Sequence, residues 1–174
     1  MAISPLGIDP DRHRTLRGRS HQVWQRRVAL TLVAAIPILG LLNVFGQRTA
    51  ITEGRANQAS LLIDSPTRVR GGVIFTTRIV MASNVGLADA RLSLAPGWFQ
   101  GMTFNGIVPQ PSMQLSMGDW VVLDFGKVAA KQPFSVWISW QTNPTNYGRR
   151  GEDAALYDGG TRLVPVHRTL TVFP

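Results

Sequence analysis

The chain has 174 residues, a formal charge of +8 and no cysteine. One domain's worth of chain without a thiol excludes a disulfide framework, a thiolate metal site and a Cys nucleophile. The charge is not gathered with aromatics on one stretch, as nucleic-acid binding requires: residues 1–27 hold six arginines against two aspartates, and the remaining +4 is spread thinly.

Residues 1–27 read as a basic tail in which Arg17, Arg19, Arg26 and Arg27 precede an apolar run. That run, 28–46, is VALTLVAAIPILGLLNVFG, uncharged and with only Thr31 and Asn43 polar. At about 1.5 Å per residue it covers roughly 28 Å, the thickness of a bilayer's hydrocarbon core, and predicts one transmembrane α-helix. Pro37 is tolerated inside such a helix. The flanking arginines act as a topology signal: they predict an N-terminus in the cytoplasm and an extracytoplasmic C-terminal domain on a single-pass protein. Sixteen arginines against two lysines suggest a GC-rich bacterial genome, a codon argument without structural weight; with the span, the expected location is the bacterial cytoplasmic membrane. A cleaved signal peptide is the rival reading; the length of the basic region and of the apolar run, and the lack of an A-x-A site, argue against it.

Residues 47–58, with Arg48, Glu53 and Arg55, read as a polar linker with a flexible reach of about 20 Å. Beyond it the hydrophobic period changes to two. Ala59–Ser65 is a first strand, closed by Ser65-Pro66, and Gly71-Gly72 turns the chain into Val73–Ser83, where Phe75, Thr77, Ile79 and Met81 alternate with polar neighbours. Ala90, Leu92 and Leu94 mark a third strand, ended by Pro96-Gly97. Met102–Ile107 and Trp120–Phe125 follow, separated by a loop containing Pro109 and Pro111. Phe134, Val136, Ile138 and Trp140 alternate with Ser135, Trp137, Ser139 and Gln141. Ala154–Tyr157 and Leu163–Phe173 flank the hairpin signal Asp158-Gly159-Gly160. Short strands with Gly/Pro punctuation predict an all-β sandwich or barrel over residues 59–174.

The ordering Pro66, Arg70-Gly71-Gly72, an alternating strand ending at Asn84, then Ala90 to Pro96-Gly97-Trp98 and later Leu123-Asp124-Phe125-Gly126-Lys127-Val128 resembles bacterial Ig-like modules of the conserved-repeat type. The likeness covers roughly residues 59–142. The whole chain is also similar to small single-span membrane proteins of high-GC bacteria with one such outer domain. The resemblance implies an Ig-like antiparallel β-sandwich behind one N-terminal transmembrane helix, acting as a binding or structural module.

Catalytic chemistry finds no foothold. His13 and His21 fall in the tail, which leaves His167 alone on the last strand, and no G-x-S-x-G elbow accompanies it. Glu152, Asp153 and Asp158 could crowd one loop, yet Arg149 and Arg150 beside them oppose a cation. No catalytic residue, cofactor or metal site is expected. Two loops are candidates for recognition. In Pro96–Met102, Trp98, Phe99 and Met102 are of types enriched in interfaces, unless an aromatic folds back to plug the sandwich. In Asn143–Arg150, Asn143, Asn146, Tyr147, Arg149 and Arg150 lie on a long polar loop. Simple strand alternation puts the two loops at opposite ends, the second facing anionic headgroups.

The expectation is a non-enzymatic, membrane-anchored accessory or interaction protein that contacts the lipid bilayer through its helix and a membrane or envelope protein through its outer domain, with no nucleic acid. The alternative is a ligand-binding sensory module, which would show an apolar concavity of at least about 300 Å³.

Overall fold

The computed structural model describes residues 20–42, 47–56 and 58–174. Two units divide the chain, Met1–Val44 and Phe45–Pro174.

In the first unit, Ser20–Leu41 forms one helix, α1, with Pro37 inside it. It begins earlier than the apolar run, because Gln25, Arg26 and Arg27 are good helix formers. Among the described residues, Val23–Leu41 is long and apolar enough to cross a membrane. Its Leu30, Leu32, Val33, Ile36 and Ile38 are all exposed. The Thr31 hydroxyl donates to the Arg27 carbonyl at 2.8 Å. Arg17, Arg19 and residues 43–46 lie outside the described residues.

The second unit is an all-β, two-sheet sandwich, as the sequence predicts. Its strands are β1 (Arg48–Ala56), β2 (Ala59–Arg70), β3 (Ile74–Ser83), β4 (Leu87–Leu94), β5 (Met102–Val108) and β6 (Met113–Met117). They continue with β7 (Trp120–Val128), β8 (Phe134–Thr142), β9 (Gly148–Gly151), β10 (Ala154–Asp158), β11 (Thr161–Val166) and β12 (Thr169–Phe173). One sheet runs β5-β8-β3-β2-β12-β9 with β1 added on β2; the other runs β11-β10-β4-β7-β6. All described pairings are antiparallel except β2 with β12.

Four expectations are corrected. The 47–58 linker contains β1, paired with β2 from Ala56↔Ala59 to Arg48↔Arg68. Its half-buried positions, Ala50, Thr52, Gly54 and Ala56, are too small to give an apolar period. Ser65-Pro66 does not close the first strand, which continues to Arg70. Strands β6 and β9 occupy stretches that read as loops, and 163–173 is two strands that belong to different sheets.

The core follows the period-two pattern. Phe75, Ile79 and Met81 of β3 and Val136, Ile138 and Trp140 of β8 meet Leu92 and Leu94 of β4 and Leu156 of β10. Thr77 shares this inner face because its hydroxyl bonds that of Ser65 at 2.7 Å. At one side of the sandwich β1 lies against β11. A Cβ at Gly54 would come within 2.7 Å of the Pro165 carbonyl oxygen and 2.8 Å of Val164 and Val166 methyls. Gly54→Val is therefore expected to destabilise by roughly 1–3 kcal/mol. Ile51→Val, at an exposed position of the same strand, should leave the thermal unfolding midpoint nearly unchanged.

Candidate functional site

The two candidate loops come together rather than lying at opposite ends. The expected count misplaces them because it lacks β6: the strands do reverse one after another, and the extra hairpin strand makes β8 run in the same direction as β4, so both loops leave the same end. Asn143 N–H donates to Gly101 O at 3.0 Å. Arg150 joins both loops: Nη2 donates to Asn146 O at 3.0 Å, and Nη1 donates to Gln100 O. Neither Gly97 nor Gly101 has room for a side chain, since a Cβ would strike the Gly151 carbonyl in one case and the Asn146 amide in the other.

Within this surface the predicted residues divide into two groups. Trp98 is fully buried, so it cannot meet a partner directly. It stacks on Trp140 with ring centroids 5.8 Å apart, and its indole N–H donates to Asp153 O at 3.0 Å. Phe99 meets Trp140 edge-on at 5.4 Å, and Met102 packs half-buried against the same core. These three prop the loop from beneath. Tyr147, Arg149 and Asn143 are exposed, Tyr147 by 62%, while Asn146 and Arg150 are half-buried in the junction.

Beneath the junction lies a feature that sequence reading missed. Glu152 and Arg168 are buried together, with Oε2 3.3 Å from Nη1. Arg168 Nη2 donates to Pro66 O at 2.7 Å and Ser65 O at 3.3 Å, and its guanidinium lies 5.3 Å from the Trp98 ring centroid. Neither Glu152 carboxylate oxygen accepts a hydrogen bond among the described residues. Burial pushes the Glu152 carboxyl up to about 7, against the opposing pull of Arg168 and Arg150. Burial likewise lowers Arg168, partly offset by Glu152 and Asp64. The pair locks β9, β12 and β2 to the Trp98 turn. Only the adjacency of a lone Glu to the Arg149-Arg150 pair hinted at it in the sequence.

The outer face of the five-stranded sheet holds a concavity of about 310 Å³. Met117, Trp120, Ala155 and Pro165 supply apolar walls, with Tyr157, Arg162 and His167 at its rim. His167 Nδ1 is 3.2 Å from Asp153 Oδ2, but the imidazole is 76% exposed and the carboxylate 36%, so the pair is solvated. Among the described residues no three His, Cys, Asp or Glu side chains gather as metal ligands.

No family model matches the chain, and no curated protein matches it. Solved structures with a similar arrangement of strands include a non-cellulosomal cohesin from the hyperthermophilic archaeon Archaeoglobus fulgidus. It is 11% identical over 73% of this chain and 92% of its own, with a TM-score of 0.39. Another is the CARDB domain of a Pyrococcus furiosus protein in complex with di-metal ions, 12% identical over 74% of this chain and 91% of its own, with a TM-score of 0.40.

Proposed function

We propose that the chain is a non-enzymatic interaction protein of the bacterial cytoplasmic membrane, with α1 spanning the bilayer, the tail in the cytoplasm and the sandwich outside. The joined loop surface contacts a membrane or envelope protein. The observation that carries this reading is the Arg150 junction, which fixes two loops into one surface and leaves Tyr147 and Arg149 facing solvent. A rigidly backed Tyr beside an Arg loses little conformational entropy on binding, and these types dominate interface energetics. An α-helix with apolar side chains exposed on every side requires an apolar surrounding, which a bilayer supplies.

The test is gentle-detergent purification of the full-length chain from native membranes, with mass spectrometry of what accompanies it. A stoichiometric membrane partner is expected, with at least a tenfold loss in Tyr147→Ala/Arg149→Ala. A solitary wild-type protein would overturn the reading. The concavity of about 310 Å³ favours a second reading, a ligand-binding sensory module. Under that reading, soluble envelope metabolites quench or shift the Trp120 fluorescence, and Trp120→Phe abolishes the response.

A further inference from the structure

We infer that β6 is a self-pairing edge, through which two copies of this chain join their five-stranded sheets across a two-fold axis at Leu115.

The first observation is an inversion. Gln114 pairs with Leu123, a core residue, and Ser116 with Val121, so the polar side chains of β6 lie on the inner side of the sheet. Leu115 pairs with Val122, which is in register with Ser93 and, through it, Ala155, on the side away from the core. Met113, Leu115 and Met117 therefore point outward, exposed by 54%, 42% and 61%. A half-buried strand normally does the reverse.

The second is the edge itself. The five-stranded sheet ends on β6, and all five of its residues are exposed. Folded proteins blunt such edges with Lys, Pro, inward charges or bulges. Residues 113–117 carry neither charge nor proline, and their register with β7 runs without a shift. The opposite end of this sheet, β11, has β1 packed beside it at Gly54.

The third is self-complementarity. The segment reads Met-Gln-Leu-Ser-Met, so its apolar and polar positions are symmetric about Leu115. An isologous contact needs that symmetry. A two-fold axis there sets Met113 against Met117 of the second copy, Gln114 against Ser116, and Leu115 against itself. The two-residue Gly118-Asp119 turn closes β6 on the Met117↔Trp120 pair. A hairpin of this kind closes on a hydrogen-bonded pair, and ladder pairs alternate from there. The backbone groups of Gln114 and Ser116 then face away from β7, which the two-fold register requires. The chain carries +8 overall, yet pairing here sets no like charges opposite one another.

The chain contains no cysteine, so a single introduced thiol reports one contact. The experiment is mild oxidation of full-length Leu115→Cys, Gln114→Cys and Ser116→Cys in non-denaturing detergent, with light scattering of wild type and Leu115→Lys. Residues facing each other in a non-hydrogen-bonded antiparallel pair sit about 4.5 Å apart at Cα, within disulfide reach. Leu115→Cys is expected to cross-link at least tenfold more than either neighbour alone, and equimolar Gln114→Cys with Ser116→Cys should form the mixed dimer. Leu115→Lys should halve the protein mass per particle, and its unfolding midpoint should lose the dependence on protein concentration that a dimer confers on the wild type. Equal cross-linking at all three positions, or a monomeric wild type, would overturn the proposal. So would a monomer that loses a different co-purifying protein in Leu115→Lys, which assigns the edge to another chain.

Discussion

Arg168→Met is expected to destabilise the sandwich by about 3–5 kcal/mol at pH 9 but only by roughly 1–3 kcal/mol at pH 5. The loss at pH 5 comes from the Ser65 and Pro66 carbonyls, which Arg168 satisfies from inside the fold. The additional loss at high pH comes from Glu152. Its folded-state carboxyl stands at about 7, above the ordinary carboxyl value of 4.5, because burial disfavours the charge. The folded state thus holds this proton more tightly than the unfolded chain. Wild-type stability falls as pH rises from about 4.5 to about 7 and levels above that, by about 3 kcal/mol in all. Removing the Arg168 charge raises the carboxyl further, so the decline continues to higher pH and the deficit of the variant widens. Chemical denaturation of the full chain in mild detergent, followed by tryptophan fluorescence at the two pH values, measures this. Glu152→Gln should abolish the slope between pH 4.5 and 7, and the double variant should lose less at pH 9 than Arg168→Met alone. An equal loss at both pH values would show that Glu152 is not the titrating partner.

The second large effect is expected at Trp98. Trp98→Ala removes a fully buried indole, its stacking on Trp140, its bond to Asp153 O and the ring beneath the Arg168 guanidinium. A loss of about 3–5 kcal/mol follows from the cavity alone. Tyr147→Ala, on the same surface but 62% exposed, should stay within about 0.5 kcal/mol of wild type. Differential scanning calorimetry of the two variants separates the residue that props the surface from the one that faces outward. If Trp98→Ala melts like wild type, the loop does not depend on its plug.

How much of this was legible in the sequence depends on how each residue acts. Strands β3 and β8 announce themselves because Phe75, Ile79 and Met81, and Val136, Ile138 and Trp140, bury alternate large side chains. Strand β1 does not, since it buries only Ala50, Thr52, Gly54 and Ala56 and is held by its ladder to β2. Strand β9, Gly-Arg-Arg-Gly, is likewise held by backbone pairing to β12. The two recognition loops could be named from composition, but their meeting depends on β6, whose exposed Met-Gln-Leu-Ser-Met gives no buried period and whose omission reverses the direction assigned to β8. Nothing local marks Glu152 and Arg168 for burial, because the partners that permit it, Trp98 and the Pro66 carbonyl, are remote in sequence.

That β1 follows α1 so closely in the chain has a mechanical consequence. Tension arriving along the backbone from the helix enters the sandwich at Arg48, at the irregular end of the β1 ladder, where the register shifts between Arg48 and Thr49. β1 is therefore the first strand to carry a load, and pulling it free would uncover the flank of β2 and the Val164 and Val166 side chains packed at Gly54. The load path from the helix into the sandwich thus begins at one peripheral ladder, the one between β1 and β2.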